Sequence, residues 1–173
     1  LKYVSFGTNS DENSESCPST ASQLVLGKYL AEELKNIGLS EVELDRDGYV
    51  YGVIEATPGR ENDPSIGFIA HMDTAPDLDG KCVNPNILEN YDGQDILLNE
   101  ELGIKLTAKK FPELKEYVGK TLITTDGTTL LGADDKAGVA EIMTMAEILL
   151  SDKSIPHGTI QIAFTPDEEV GAG

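Results

Sequence analysis

Three short acidic segments contain the residue types that bind divalent metals. They are HMDTAPD (residues 71–77), GADDKAG (132–138) and TPDEEVGAG (165–173). Imidazole and carboxylate groups are common ligands of zinc and related metals. Each segment lies where a buried strand or a helix is expected to begin or end, so the three can converge on one site. The sequence therefore predicts the chemistry of a zinc hydrolase.

The first segment offers a histidine and an aspartate with matched orientation. His71 and Asp73 are two residues apart on an extended segment, so both side chains leave the same face. One could bind a metal through a ring nitrogen while the other holds the opposite N–H group. The alternative is a hydrogen-bonded histidine at a strand end and an aspartate that caps a turn. The His-x-Asp pattern alone does not distinguish the metal-binding interpretation from this structural one.

The second segment places two aspartates before a helix. One of Asp134 and Asp135 is expected to cap that helix, and both favour its positive end. A cap needs only one aspartate, so the other is available to bind a metal. A carboxylate has two oxygens, so one aspartate can bridge two metal ions about 3.5–4 Å apart.

The third segment holds adjacent glutamates after a strand. Glu168 and Glu169 point in different directions, so one can bind a metal while the other takes a proton from an activated water. The alternative is a pair of solvated acids in a loop. His157 precedes the same strand at its opposite edge, and we interpret it as a surface loop residue.

Composition excludes several classes of protein. With 31 acidic against 13 basic residues, the net charge of −18 argues against binding to nucleic acid. No apolar run approaches the ~18–20 residues of a membrane span. Cys17 and Cys82 form no Cys-x-x-Cys pair, which favours a reducing, cytoplasmic location. We see no signal peptide at the start, and both ends look cut.

Hydrophobic periodicity predicts two helices. The first covers residues 20–37, where apolar residues recur at helical spacing at Leu26, Leu30, Leu34 and Ile37. Thr20 and Gln23 are expected to form a capping box, and Gly38 a C-terminal cap. The second helix covers residues 136–150.

Strands are predicted at residues 41–44, 49–56, 65–72 and 158–165. The third is almost entirely apolar, which favours a central strand buried on both faces. A strand, a helix and a strand in succession predict a crossover with parallel pairing. His71 and Glu168 would then lie at the carboxyl edge, where α/β sheets bind ligands. Residues 75–131 suggest an inserted hairpin lobe, with strands within 95–106 and 120–131.

The three motifs, in this order, resemble the co-catalytic zinc exopeptidases related to aminoacylase and bacterial dipeptidases. Three longer strings are similar to the tripeptide aminopeptidases of that family: GKCVNPNILENYDGQDI, KTLITTDGTTLLGADDKAGVAEIM and IPHGTIQIAFTPDEEVG. The resemblance covers essentially the whole chain. It implies an α/β fold, a three-layer catalytic domain with a mostly parallel central sheet, incomplete at its C-terminus.

The resemblance also implies residue roles. His71 would bind one zinc and Asp73 would orient it. Asp134 would bridge two Zn²⁺ ions and join Asp135 through a cis peptide bond. Glu168 would be the general base and Glu169 a ligand of the second zinc. The implied reaction releases the N-terminal residue of an unblocked tripeptide, the expected partner.

Length is the departure from this family. Its members continue with another Asp ligand, a lid or dimerisation domain and a late His ligand, so residues 1–173 are expected to be an N-terminal part, inactive alone. Any oligomer would form through the missing domain. The alternatives are a related dipeptidase, carboxypeptidase or N-acyl amino acid deacylase, or a non-catalytic metal-binding module.

Overall fold

The computed structural model describes residues 1–78, 80 and 83–173. Cys82, included in the cysteine argument above, therefore lies outside the described residues. The two α-helices are α1 (Ala21–Ile37) and α2 (Ala133–Ser151). The strands are β1 (Ser40–Leu44), β2 (Val50–Ile54), β3 (Ile66–His71), β4 (Asn86–Leu88), β5 (Ile96–Asn99), β6 (Ile104–Leu106), β7 (Leu122–Thr124) and β8 (Ile160–Thr165). Short 3₁₀ turns cover Tyr3–Ser5, Pro112–Tyr117 and Glu168–Val170.

The main sheet has the strand order β1-β2-β8-β3. Strands β3 and β8 are parallel neighbours, as the strand–helix–strand order predicts, whereas β2 is antiparallel to both β1 and β8. The α/β class is thus confirmed, but this sheet is mixed rather than mostly parallel. The reason is that β1 and β2 form a hairpin through a short turn, and a hairpin joins antiparallel strands.

Both helices pack on the same face of this sheet. Leu30 of α1 and Val139 of α2 join one core with Ile162 and Phe164 of β8. On the opposite face, Ile69 of β3 is 71% exposed. Within the described residues the domain therefore has two layers of the three that the resemblance implies.

Strand β3 differs from its prediction. It lies at the edge of the sheet, and its first four residues are exposed, among them Ile66 and Phe68. The expectation of a central strand buried on both faces was therefore wrong for the described chain. An apolar run indicates that its side chains favour burial, but it does not identify the strands or helices that pack against them.

Helix ends follow the predictions in part. Gly38 closes α1 with φ 106°, and its N–H donates to the carbonyls of Leu34 and Lys35. The predicted capping box is wrong, because the backbone N–H of Gln23 donates to the carbonyl of Thr20 and not to its hydroxyl. No helix of the described residues is both long and apolar enough to cross a membrane.

Two small sheets occupy the region predicted as an inserted lobe. Strands β5 and β6 form a hairpin within residues 95–106, and β7 pairs with β4. The two predicted segments are thus not partners of each other. The division into a lobe and a main domain remains a prediction.

Candidate metal and catalytic site

The parallel pair β3–β8 sets the position of the site. His71 is the last residue of β3 and lies in register with Thr165, the last residue of β8. Because both strands end at the same edge, the loop after β8 carries its glutamates towards His71. The Nε2 atom of His71 lies 3.8 Å from Oε2 of Glu168 and 3.0 Å from Oδ1 of Asp134. The three acidic segments therefore meet at this histidine.

Asp73 joins His71 to the glutamate loop. It is fully buried, and its Oδ1 lies 3.3 Å from Nδ1 of His71. The same carboxylate accepts the backbone N–H groups of Glu168 and Glu169, each at 3.1 Å. One aspartate thus positions both the imidazole and the peptide segment of the two glutamates.

The protonation of His71 and Asp73 reflects this pairing. Burial alone would lower the pKa of His71, but hydrogen bonds with Asp73 and Asp134 raise this pKa to about 9. Burial alone would raise the pKa of Asp73, yet hydrogen bonds from His71 and from two backbone N–H groups lower it below its usual value. Without a metal, these shifts favour a protonated His71 beside an ionised Asp73.

The two aspartates in the first turn of α2 have separate positions, as one cap and one available ligand would require. Oδ1 of Asp135 accepts the backbone N–H of Gly138 and caps the helix. Asp134 is left facing His71, and its side chain is 88% exposed. The peptide bond between them is cis, as the resemblance implies. Regular helical geometry begins after this pair, near the predicted start at Lys136.

Glu169 completes a concentration of negative charge. Burial raises its pKa, and repulsion from Asp134, Asp73 and Glu168 acts in the same direction, against the attraction of His71. A divalent cation would relieve this repulsion, so the donor set fits a metal such as zinc. Within residues 1–78, 80 and 83–173, however, no three or more His, Cys, Asp or Glu side chains form a complete metal cage.

Two residues that sequence reasoning missed hold the glutamate loop from behind. Asp167 is 1% exposed, and its carboxylate accepts a hydrogen bond from the side-chain amide of Gln23. Gln23 is fully buried and lies three residues before Leu26, on the apolar side of α1. A polar residue on the apolar face of a helix indicates a buried hydrogen-bond partner, and this signal was present in the sequence. For Asp167, nothing in the sequence distinguishes it from the two acids that follow.

The N-terminal segment supports the loop that carries Asp73. The hydroxyl of Thr8 donates to the carbonyl of Met72, and residue 9 forms a parallel bridge with Thr74. The ammonium of Lys136 donates to the carbonyl of Phe6 at 2.6 Å, and burial lowers the pKa of this lysine to about 8. Residues distant in sequence therefore fix the walls of the site.

Comparison with known proteins supplies relatives at high identity. The chain is 61% identical, over all 173 residues, to peptidase T of Caldanaerobacter subterraneus subsp. tengcongensis. The chain resembles peptidase T along its entire length. It spans 42% of the length of that peptidase T. The sequence matches no protein-family profile.

Solved structures agree with the likeness to peptidase T. The aminopeptidase PepT from Bacillus cereus superposes with a TM-score of 0.63 at 27% identity, over 99% of this chain and 35% of that one. An aminoacylhistidine dipeptidase from Vibrio alginolyticus gives a TM-score of 0.56 at 25% identity, over 98% and 27%. The resemblance predicted from the three motifs is confirmed, and the α/β fold is that of these peptidases.

Proposed function

We propose that a protein of the relatives' length carrying this sequence is a metal-dependent aminopeptidase that removes the N-terminal residue of unblocked tripeptides. The observation that carries the proposal is the meeting of His71, Asp134 and Glu168 at one sheet edge. Identity of 61% with a peptidase T supports the choice of substrate. The acidic surface, with a net charge of −18, suits a small peptide and not a nucleic acid.

The ligand assignment follows the residues that face one another. His71 would hold one zinc, Asp134 would bridge to a second, and Glu169 would hold the second. Asp73 would keep the imidazole oriented through Nδ1, as buried carboxylates do for metal-binding histidines. The repulsion around Glu169 supports a cation in this position. Two zinc ions belong to this proposal.

Glu168 is the proposed general base. When bound, zinc polarises the peptide carbonyl and lowers the pKa of a water to about 7. Glu168 would accept a proton from the attacking water and deliver a proton to the nitrogen of the breaking C–N bond. Its side chain is 60% exposed and faces the same histidine nitrogen as Asp134. It can therefore reach a substrate that enters from solvent.

Glu168→Gln in the full-length protein tests this role. Because the amide cannot accept a proton from water, tripeptide hydrolysis should fall by about 10²–10⁴-fold. Zinc content, measured by elemental analysis, should stay unchanged, since Glu168 is not a proposed ligand. The matched control is Glu101→Gln, at an exposed position in the β5–β6 turn. Activity that survives the change at Glu168 would contradict the assignment.

A related dipeptidase is the second candidate, favoured by the superposition with the aminoacylhistidine dipeptidase. Carboxypeptidase and N-acyl amino acid deacylase activities use the same kind of metal site. An aminopeptidase needs a free amine, so cleavage of free but not N-acetylated tripeptides decides for our proposal. A non-catalytic metal-binding module would bind zinc and cleave none of these substrates.

Location and assembly are further parts of the proposal. The two cysteines and their spacing support a reducing, cytoplasmic compartment. Any oligomer is proposed to form outside residues 1–173, through a lid or dimerisation domain of the longer protein. Size-exclusion chromatography of both lengths tests this assembly.

A further inference from the structure

A buried polar cluster behind the site joins α1 to the glutamate loop. The carboxylate of Asp167 accepts the backbone N–H of Ser19 at 2.6 Å and the side-chain amide of Gln23 at 2.6 Å. It also accepts the hydroxyl of Ser19. In return, the backbone N–H of Asp167 donates to Oε1 of Gln23 at 3.1 Å. Both ends of the Gln23 amide are thus used on one residue.

The backbone at Asp167 makes this cluster more than ordinary packing. Asp167 has φ 56° and ψ 24°, the left-handed region that residues other than glycine adopt infrequently. Such a conformation persists where the surroundings hold it in place. Here the surroundings are Gln23 and Ser19, which lie 144 and 148 residues away in sequence. Gln23 of α1 and Ser19, which precedes α1, therefore hold the side chain of Asp167, while the backbone N–H of Ala172 donates to its carbonyl.

The glutamates are consequently held from two sides. On one side, Asp73 accepts the backbone N–H groups of Glu168 and Glu169. On the other, Gln23 fixes the residue directly before them. These contacts hold the backbone of residues 167–169, from which the two glutamate side chains extend.

We propose that Gln23 and Asp167 are positioning residues that set the direction of Glu168 and Glu169. The inference rests on the proposed function, because it assigns these glutamates to the metal and to the attacking water. A misplacement of about 1 Å at a reacting group can cost about 10²-fold in rate. Neither positioning residue is a proposed metal ligand or a proposed proton acceptor.

Gln23→Met tests the inference in the full-length protein, because methionine keeps the shape and removes the amide. Outer-shell partners of metal ligands are typically worth about 10–100-fold in affinity or activity. Of the two proposed zinc ions, we expect the more weakly bound one to lose about tenfold in affinity, measured by competition with a chromophoric chelator. The kcat for a tripeptide should fall by about 10–100-fold while KM changes little. Asp167→Asn should give the same pattern, because its new NH₂ group would face another donor, either the Gln23 amide or the Ser19 N–H.

Two controls separate positioning from loss of stability. Leu34→Val removes buried volume from α1 about 16 Å from Gln23 and should lower stability without changing zinc affinity. The double variant, Gln23→Glu together with Asp167→Asn, exchanges donor and acceptor. A carboxylate at position 23 can then accept both the backbone and the side-chain N–H groups of residue 167. This variant should recover zinc affinity and kcat to within about threefold of the starting protein.

Each outcome decides the inference. Unchanged zinc affinity in both single variants would overturn it, as would an equal loss in Leu34→Val or a double variant with no recovery. If the starting protein binds zinc but cleaves no tripeptide, the proposed function fails, and the zinc affinities still decide the role of Gln23. If the starting protein binds no zinc, both proposals are wrong.

Discussion

Oδ1 of Asp73 accepts the backbone N–H of Glu168 at 3.1 Å, across 95 residues of sequence. The same carboxylate contacts His71, so a single buried group couples the end of β3 to the loop after β8. The family resemblance implies that Asp73 orients His71, and this accounts for only part of what the carboxylate contacts. Its other contacts hold the peptide segment of the two glutamates.

Asp73→Asn should damage both functions. The amide is uncharged and keeps one acceptor oxygen, so the imidazole loses its ionised partner and at least one of the two backbone N–H groups loses its acceptor. We expect zinc affinity and tripeptide turnover in the full-length protein to fall by about 10–100-fold. Isothermal titration with zinc and a tripeptide assay provide the measurements. Asp77→Asn, at an exposed position in the same loop, should leave both unchanged.

The titration of His71 in metal-free protein is a second prediction. Burial opposes the charged imidazole, but Asp73 and Asp134 outweigh it and raise the pKa from 6.5 to about 9. A raised folded-state pKa contributes stability that is complete below pH 6.5 and is lost as the pH rises through about 9. NMR of the imidazole protons checks this value, and Asp73→Asn should lower it. An imidazole that titrates below its ordinary value would contradict the geometry of this pair.

The core supplies a third prediction. Leu30 is fully buried between α1 and the sheet, whereas Val25 on the same helix is 58% exposed. Leu30→Ala should lower the free energy of unfolding by about 2–5 kcal/mol, because it removes buried methyl groups and leaves a cavity. Val25→Ala should change it by no more than about 0.5 kcal/mol. Urea unfolding followed by circular dichroism measures both, and similar losses would show that α1 is packed differently.

Chain length is the subject of a fourth prediction. The chain spans 42% of its peptidase T relative, and the proposed ligands give each zinc two protein groups where catalytic zinc sites use three. The 173-residue chain alone should therefore hydrolyse tripeptides at least about 10²-fold more slowly than the full-length protein. Assays at equal zinc concentration compare the two. Equal rates would mean that residues 1–173 contain a complete site.

The features that the sequence predicted best are those with a local signal. The period of Leu26, Leu30 and Leu34 placed α1, and the ends of β3 and β8 placed His71 near Glu168. Both arguments need only side-chain periodicity and the rule that parallel strands end at one edge.

The features that escaped prediction depend on distant partners. Gln23 was assigned to a capping box with Thr20, three residues away. Its amide does donate to the Thr20 hydroxyl at 3.2 Å, but its shorter hydrogen bond, at 2.6 Å, is with Asp167 across 144 residues. Strand β3 was placed at the centre of the sheet because it is apolar, although apolarity gives no strand order. Pairing over such separations leaves no pattern within either segment.

The edge position of β3 has a consequence for handling the protein. Residues 66–71 carry no acidic side chain and no lysine or arginine, and the described part of the chain pairs this strand on one side only. Uncharged, unpaired strand edges recruit strands from other molecules and start aggregation. The 173-residue chain is therefore expected to lose colloidal stability as its concentration rises, despite the strong mutual repulsion of its acidic surface.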